Sequence, residues 1–442
     1  MRITIKYLLV CFLLSLNLFF SYYIKLISFD TQRIINDINF LSSDNLKGRL
    51  AGSFENNIAG EFIKESFINS NLIPYKDSFH QSFQVDYPKL NSTTPTLEVL
   101  SKDNNIIKTY KYGLQYKEDF INFRTNRIKF SIKDTNITES SILVKTDNSK
   151  IVLFVPKNEE FNFRSSFIAN SALDMYIMIA ASTYKDILLE LNKDNKINLS
   201  IPYEIQKTEV DNITALHKGI YSHKPSIIIT AHFDHIGSDS LGNIYNGALD
   251  NASGTAFLME LSRYVSKLGS SDEDIIFVAF NAEEFGCLGS KAFVDRNYND
   301  IKNSKIYNFD MIGSDKSIPL SLMGGKNDSE ATNLIKNLSQ SFRDRNISYN
   351  HSYEDSSDHE YFRKMGIEAV TFCQEDLERI HSTRDKSDFI GISSIKDTFS
   401  AFSKVLIKES YKENLYIYYN YPGLIISLLF SFLLTIFYLK AD

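Results

Sequence analysis

Side chains that are able to bind metal follow several strands predicted from the sequence. His232 and Asp234 come directly after the apolar run "SIIITA", Glu283 and Glu284 follow "IIFVAF", and Asp310 ends "KIYNFD". Continuous apolar runs rich in β-branched residues are typical of strands buried on both faces of a sheet. Because open α/β sheets bind ligands at the carboxyl ends of their strands, we expect these side chains to gather at one edge of a sheet.

Two further candidate ligands come from loops. Asp250 lies in "NGALDNASG", which opens a predicted helix, and His381 lies in "RIHSTRD" beyond the strand "EAVTF". One zinc ion takes about three protein ligands and a water molecule, whereas five ligands suit two ions that share a bridging carboxylate. A set of nitrogen and oxygen donors favours Zn²⁺, with Mn²⁺ or Co²⁺ as substitutes. The sequence therefore predicts a two-metal hydrolytic site.

The adjacent acids Glu283 and Glu284 need an explanation, because neighbouring carboxylates repel each other and are costly to bury. Two nearby cations would remove this difficulty, since their field stabilises both carboxylates. One glutamate then binds metal, and the other stays unligated and accepts a proton from metal-bound water. Each candidate alone also has an ordinary interpretation, as a helix cap, a turn, a solvated helix start or a surface histidine. The hypothesis depends on their order and joint placement.

The elements that carry these residues alternate between strand and helix from residue 212 onward. Strands are predicted at residues 226–231, 274–280, 305–310, 319–323 and 366–372. Helices are predicted at residues 253–265, at residues 330–344 and from residue 394, with a short helix between the second and third of these strands. This alternation predicts an α/β fold with a largely parallel sheet covered on both faces. Two earlier helices are expected at about residues 31–41 and 57–70. Short β-like runs and polar turns at residues 85–206 predict an inserted, mostly-β module with some helix.

The composition sets outer limits on the fold and on the partners. The chain has 442 residues, 43% of them hydrophobic, and a net charge of −6. This size is ample for one large domain with an insertion, or for two domains. The mild acidity is spread along the chain, which argues against a nucleic-acid partner. Cys11 lies in an apolar segment, and Cys287 and Cys373 are predicted to be free and buried, although one isolated bridge remains open.

Both ends of the chain are predicted to enter a membrane. Residues 7–24 are uncharged and follow Arg2 and Lys6, which fits a signal peptide or an uncleaved anchor. The anchor is favoured, because no small-x-small cleavage site follows. Residues 422–440 form a second apolar segment near the minimum length of a span. Two spans place the body on the outer side of the cell membrane with cytoplasmic termini. Lysines on the body side oppose this topology, and we interpret them as the solvated face of the last helix: Lys404, Lys408 and Lys412.

The motifs together resemble those of a known enzyme family. The segments that carry the resemblance are "FLSSDNLKGRLAGS", "AHFDHIG", "NGALDNASG", "FNAEEFGCLGS", "NFDMIG", "SSDHEYF" and "IHSTRD". They are similar to those of the co-catalytic zinc exopeptidases of the aminopeptidase Y and bacterial leucyl aminopeptidase type. The resemblance implies a three-layer αβα sandwich with a mostly parallel central sheet over residues 30–85 and 207–415. It also implies a protease-associated-like domain inserted at residues 86–206, between an N-terminal segment at residues 1–29 and a C-terminal transmembrane helix at residues 421–440.

The resemblance also assigns five metal ligands. It implies that His232 and Asp310 hold one Zn²⁺, that Glu284 and His381 hold the other, and that Asp250 bridges the two. Two zinc ions per chain are therefore expected.

Further residues receive roles by the same resemblance. Glu283 is expected to be the general base, and Asp234 is expected to orient the first histidine. Asp358 and His359 lie near the site with an open role. One departure concerns a position where some relatives carry a tyrosine able to bind the oxyanion. Ile380 occupies it here, so the oxyanion donor is undefined.

The implied reaction is removal of N-terminal residues from peptides with a free N-terminus, by a membrane-bound enzyme. A glutamate-directed carboxypeptidase is an alternative, with Arg379 and Arg384 as candidates for binding the substrate carboxylate. A glutaminyl cyclase of related fold would use a single zinc. A non-catalytic receptor of the same fold would have lost several ligands, whereas this chain keeps the full set.

Overall fold

The helices account for much of the chain and flank its sheets. A computed structural model describes residues 2–26, 28–91, 94–119, 124–157, 160–167 and 171–440. The α-helices in this part are α1 Arg2–Leu26, α2 Thr31–Leu41, α3 Phe54–Asn69, α4 Ala181–Asn192, α5 Gly254–Leu268, α6 Leu288–Ile301, α7 Asn333–Arg343, α8 His359–Lys364, α9 Ile392–Ser410, α10 Leu415–Tyr418 and α11 Asn420–Lys440. Asp30 caps α2, because its carboxylate accepts the N–H groups of Gln32 and Arg33.

The strands fall into three sheets. Within the same described ranges they are β1 Ile73–Pro74, β2 His80–Leu90, β3 Thr96–Leu100, β4 Ile106–Thr109, β5 Tyr116–Asp119, β6 Arg127–Phe130, β7 Thr135–Ile137, β8 Ser141–Lys145, β9 Lys150–Phe154, β10 Met175–Ile179, β11 Lys196–Ser200, β12 Tyr203–His217, β13 Ile227–His232, β14 Ile275–Phe280, β15 Lys305–Phe309, β16 Leu320–Gly324, β17 Tyr349–Tyr353 and β18 Glu368–Cys373. The predicted α/β character is confirmed, since helices and strands alternate from β13 onward.

The largest sheet is mixed and carries the candidate site at one edge. Its order is β1-β12-β14-β13-β15-β18-β16-β17, and β2 pairs with β12. Parallel pairings join β14, β13, β15 and β18 in the centre, and antiparallel pairings add β12 on one side and β16 on the other. The strands that precede the candidate ligands are therefore neighbours that point the same way. Their carboxyl ends meet at one edge.

The two faces of this sheet are both buried. Along β13 and β14, Ile229 and Phe277 pack into one apolar cluster with residues of α2, α3, α5, α7 and α9. The alternate residues Ile228 and Val278 pack into a second cluster with residues of α6 and α8. Burial on both faces explains why these strands are continuously apolar instead of alternating.

A long two-stranded ribbon leads from the large sheet to the inserted region. β2 and β12 pair from His80 opposite Ile213 to Leu90 opposite Tyr203. Beyond it lie a five-stranded sheet, β5-β10-β9-β8-β7, a four-stranded sheet, β4-β3-β11-β6, and helix α4. We call the described part of residues 96–200 the inserted module. The predicted boundaries at residues 85/86 and 206/207 fall within the ribbon, and the division of the chain into domains stays a prediction.

The terminal helices α1 and α11 are long and apolar enough to cross a membrane, judged by length and composition. Their apolar windows, Ile5–Tyr23 and Asn420–Phe437, have mean hydropathies of 1.7 and 1.8. The two helices pack against each other, with the rings of Phe12 and Phe430 5.0 Å apart. A Cβ atom at Gly423 would lie 2.2 Å from a ring carbon of Phe19, so the helices approach closely at this glycine.

Two elements of the fold differ from the sequence prediction, and several predicted side-chain environments can be compared with the structure. Strand β17 and helix α8 were not predicted. Cys287 and Cys373 are buried free thiols, as predicted. Lys404 and Lys408 are exposed on α9, as predicted for a solvated helix face, whereas Lys412 is exposed beyond the end of that helix.

Candidate metal centre

The first donor group forms where β13 and β15 end side by side. In the parallel pairing Thr230 lies opposite Asn308, so His232 and Asp310 follow at the same edge. His232 Nε2 lies 3.2 Å from Asp310 Oδ1. The other oxygen of Asp310 accepts a hydrogen bond from Ser357 Oγ at 2.7 Å. These contacts hold the His232 imidazole and the Asp310 carboxylate next to each other.

Asp250 lies between the donors and is held by the loop that opens α5. Its Oδ1 lies 3.4 Å from His232 Nε2, and its Oδ2 lies 3.2 Å from His381 Nε2. The buried carboxylate of Asp385 accepts the N–H groups of Leu249 and Asp250 at 2.8 and 3.0 Å. These bonds fix the backbone at the bridging position.

The side chain of Asn251 ties this loop to β15. Its amide donates to Phe309 O at 2.9 Å, and its oxygen accepts the N–H of Met311 at 3.1 Å. A Cβ atom at Gly254 would lie 2.2 Å from Phe309 O, so only glycine allows the start of α5 to approach the end of β15 this closely. This packing brings Asp250 next to Asp310.

The second donor group joins the turn after β14 to the loop after β18. His381 Nε2 lies 3.1 Å from Glu284 Oε2. Burial and the charge of Asp250 would raise the pKa of Glu284, but the charge of His381 and hydrogen bonds with His235 and His381 lower it below the ordinary range. Burial likewise opposes protonation of His381, while Glu284 and Asp250 raise its pKa well above the ordinary value. Glu284 is therefore an ionised, buried ligand candidate.

A third histidine, His235, enters this group, and the sequence analysis did not assign it. The His235 ring is fully buried, and its Nδ1 lies 2.9 Å from Glu284 Oε1 and 3.6 Å from Asp250 Oδ2. Two sets of donors have ligand atoms within 4.8 Å of one another, namely His232, Asp250 and Asp310, and His235, Asp250 and Glu284. In the sequence, the signal for His235 is that it is the second histidine of "AHFDH", three residues after His232.

Asp234 organises the turn that presents the paired glutamates. Its carboxylate accepts the N–H groups of Glu283 and Glu284 at 3.1 and 3.2 Å. Its Oδ1 also faces His232 Nδ1 at 3.7 Å, an ion-pair distance that is longer than a hydrogen bond. Desolvation raises the pKa of Glu283 well above the ordinary range, and the neighbouring charges of Glu284 and Asp310 add to this rise. The two adjacent acids therefore lie in different electrostatic environments.

Left-handed backbone conformations cluster around the site. Ala282, Met311 and His381 have φ angles of 56°, 55° and 53°. Non-glycine residues rarely adopt this region, and such conformations concentrate at functional sites where the surrounding structure enforces them. Each of these residues is, or directly adjoins, a predicted site residue.

Asp358 and His359, the two remaining predicted residues, lie in different environments. Asp358 is fully buried, and burial raises its pKa to about 7, helped by the charges of Asp310 and Asp234 and opposed by His232. The His359 ring is instead bonded on both nitrogens, to Thr371 Oγ1 and to Glu354 O, each at 2.8 Å. His359 is therefore held as part of the scaffold.

Arg49, in the loop "LKGRLAGS", holds backbone segments next to the site by hydrogen bonds. Its fully buried guanidinium donates to the backbone oxygens of Leu41, Phe233, Asn246 and Gly247 at 2.5–2.9 Å. Burial lowers its pKa to about 10, and the charges of Asp250 and Asp385 oppose that decrease. These bonds fix the backbone beside His232 and before Asp250.

The large sheet, parallel at its centre, carries buried histidine and carboxylate donors at one edge, and these ligand types suit a metal-dependent enzyme. Residues 212–406 match peptidase family M28, and the predicted resemblance to zinc aminopeptidases is confirmed. Aminopeptidase YwaD of Bacillus subtilis is 26% identical over 276 residues, which cover 61% of this chain and 58% of that protein.

Other relatives agree with this assignment. A vacuolar membrane protease of Debaryomyces hansenii is 27% identical over 183 residues, covering 38% of this chain and 17% of that protein. The chain thus spans less than two thirds of the length of these curated relatives. The solved structure of BSAP, a zinc aminopeptidase from Bacillus subtilis, has a TM-score of 0.64 at 18% identity, covering 88% of this chain and 97% of BSAP. The likeness in structure shows that the fold is shared.

Proposed function

We propose that the protein is a membrane-anchored aminopeptidase that holds two zinc ions and removes N-terminal residues from peptides. The observation that carries this proposal is the position of Asp250. One of its oxygens faces His232 and the other faces His381. A single carboxylate shared between two donor groups is what a pair of bridged cations requires.

The donor set fits zinc. The first group supplies His232, Asp310 and one oxygen of Asp250, and the second supplies Glu284, His381 and the other oxygen. These imidazole and carboxylate donors suit Zn²⁺, and sulfur ligands are absent from both groups. When bound, the two ions supply Lewis acidity that polarises the scissile carbonyl and lowers the pKa of water.

Glu283 transfers the proton in the proposed reaction. Its carboxylate accepts a proton from the attacking water as the C–O bond forms, and then delivers it to the amine as the C–N bond breaks. The raised pKa of Glu283 favours this exchange, because the base must hold the proton between the two steps. Asp234 fixes the backbone of Glu283 and faces the outer nitrogen of His232, which supports a positioning role.

The architecture supports the finer assignments made from the resemblance. The two apolar clusters on opposite faces of the large sheet favour a three-layer αβα sandwich over residues 30–85 and 207–415. The two smaller sheets of the inserted module favour a protease-associated-like domain.

The terminal helices favour anchoring in the cell membrane, and Arg2 and Lys6 before the first apolar segment favour a catalytic part outside the cytoplasm. Aromatic rings gather at one end of the helix pair, where Tyr22 and Tyr416 stack at 6.0 Å and Phe19 lies 5.2 Å from Tyr416. Aromatic residues of this kind concentrate at membrane–water interfaces.

The alternative of a glutamate-directed carboxypeptidase loses its main support. Arg379 donates to Asp376, Ser314 and the backbone oxygen of Phe389, so its guanidinium is engaged within the scaffold. Only Arg384 stays exposed beside the cleft lined by Ile380 and Phe163. Donors for both metal positions also argue against a single-zinc glutaminyl cyclase.

The test is an assay of amino-acyl reporter substrates with free and with N-acetylated α-amino groups. We expect release of the reporter only from the free-amine series. Equal turnover of both series, or turnover only of peptides with a free C-terminal glutamate, would contradict an aminopeptidase.

A further inference from the structure

A segment of the inserted module lies directly on the second donor group. We call residues 160–167 the strap. Its Ser166 Oγ donates to Glu284 Oε2 at 2.6 Å, and the N–H of Phe167 donates to Glu284 O at 2.7 Å. The N–H of Arg164 donates to His381 O at 3.0 Å. Glu284 and His381, the two ligand candidates of the second donor group, are thus held by a distant part of the chain.

The aromatic residue of the strap covers the imidazole ligand. The ring of Phe163 stacks on the ring of His381, with centroids 5.8 Å apart and planes 27° apart. Phe163 also pairs with Ser382 in an antiparallel bridge. The φ angle of His381 is 53°, so this conformation needs support from its surroundings. Phe163 and Arg164 provide that support.

The strap is itself firmly anchored. The N–H and the hydroxyl of Ser165 donate to the buried carboxylate of Asp119 at 2.6 and 2.8 Å. Lys117, paired with Asp239 at 2.9 Å, donates to Phe161 O at 2.7 Å. Both charged groups of this pair are buried. Such a network fixes the strap against the module on one side and the catalytic part on the other.

The apolar core of the module continues up to the paired glutamates. Ala282 and Phe285, which flank Glu283 and Glu284, belong to the same apolar cluster as the strands of the module. The rings of Phe167 and Phe285 lie 5.0 Å apart. The turn that presents Glu284 is therefore packed against the module as well as hydrogen-bonded to it.

We propose that the inserted module completes the second metal position, with Ser166 positioning Glu284 and Phe163 positioning His381. The inference rests on the proposed two-zinc function. The first donor group receives its supporting contacts from other parts of the chain, namely Ser357 on Asp310 and Asp234 beside His232. Loss of a strap contact therefore weakens one of the two zinc positions and leaves the other intact.

The test measures the two zinc affinities separately by chelator competition on full-length protein. Residues that hold a metal ligand typically contribute 10–100-fold to metal affinity. We expect Ser166→Ala to weaken the second zinc by about 10-fold or more with the first unchanged, and Ser166→Thr, which keeps the hydroxyl, to restore it. The matched control is Ser149→Ala, in the module but remote from the strap contacts, and it should match the wild type.

Cobalt substitution gives a readout that a loss of stability would not produce. With Co²⁺ in both positions, Ser166→Ala should alter the visible absorption of one ion only. Phe163→Ala serves as a second variant and should also weaken only the second position.

Two outcomes would overturn the inference, and they are distinguishable. Fewer than two zinc ions on the wild-type chain would refute the two-zinc function and the inference with it. Two ions on the wild type with unchanged affinities in Ser166→Ala and Phe163→Ala would refute the inference alone.

Discussion

Oδ2 of Asp250 lies 3.2 Å from Nε2 of His381, although the two residues come from loops at distant places in the sequence. The opposite oxygen of the same carboxylate faces His232. One side chain therefore joins the two donor groups, and its removal should affect both metal positions together.

Replacing Asp250 by asparagine tests this bridging role. The amide removes the shared negative charge, so we expect a loss of at least one of two zinc ions per chain after dialysis, measured by elemental analysis. Asp272→Asn offers a matched control, because Asp272 is also buried but lies at the opposite end of the chain's β14 strand. Two ions retained in Asp250→Asn would show that the carboxylate is not shared.

Replacing Glu283 by glutamine separates proton transfer from metal binding. The general base typically contributes 10²–10⁴-fold to rate, so kcat should decrease by about 10³-fold. The zinc content should stay at the wild-type value, because Glu283 lies outside both groups of donors that the structure brings together. Near-normal turnover in this variant would refute the base assignment.

His235 and His381 should contribute differently to the affinity for the second zinc ion, the one beside Glu284. Both approach Glu284, but His235 contacts Oε1 and His381 contacts Oε2. We expect His381→Ala to abolish binding of the second zinc and His235→Ala to weaken it by about 10–100-fold, as for a residue that orients a ligand. Isothermal titration of the metal-free variants measures both. The reverse order of effects would make His235 the ligand.

Part of the candidate site was predictable from the sequence. The ends of β13, β14 and β15 could be read from apolar runs followed by polar residues, because parallel strands bring successive carboxyl ends to one edge. The grouping of His232 with Asp310 follows from that local rule.

Other contacts could not be read in this way. Strand β17 has the sequence "YNHSY", which lacks the β-branched residues that mark a buried strand. Ser166 and Phe163 reach the site through the packing of a module whose own sequence contains no cluster of metal ligands. His235 also follows β13, but residue type and spacing do not distinguish the second histidine of "AHFDH" from a structural one. Long-range packing of this kind leaves no periodic signal in the chain.

Arg49 should contribute strongly to stability. Arg49→Met leaves four buried backbone oxygens without their donor, and each such loss costs about 1–3 kcal/mol before relaxation. We expect the free energy of unfolding to decrease by about 3 kcal/mol or more, measured by urea unfolding. The control is Arg127→Met, at an exposed position of β6, which should change it by less than about 0.5 kcal/mol. Equal effects would refute the supporting role.

Membrane attachment has a direct test in the full-length chain. Because α1 and α11 are apolar over the length of a bilayer and pack together, the protein should stay in the membrane pellet after alkaline carbonate extraction. Recovery in the supernatant would contradict anchoring by these helices.

The most direct measurement is anomalous X-ray scattering at the zinc edge from crystals of the zinc-loaded protein. The account predicts two peaks, one beside His232 and Asp310 and one beside Glu284 and His381, with Asp250 between them. A single peak, or two peaks that do not share Asp250, would contradict it.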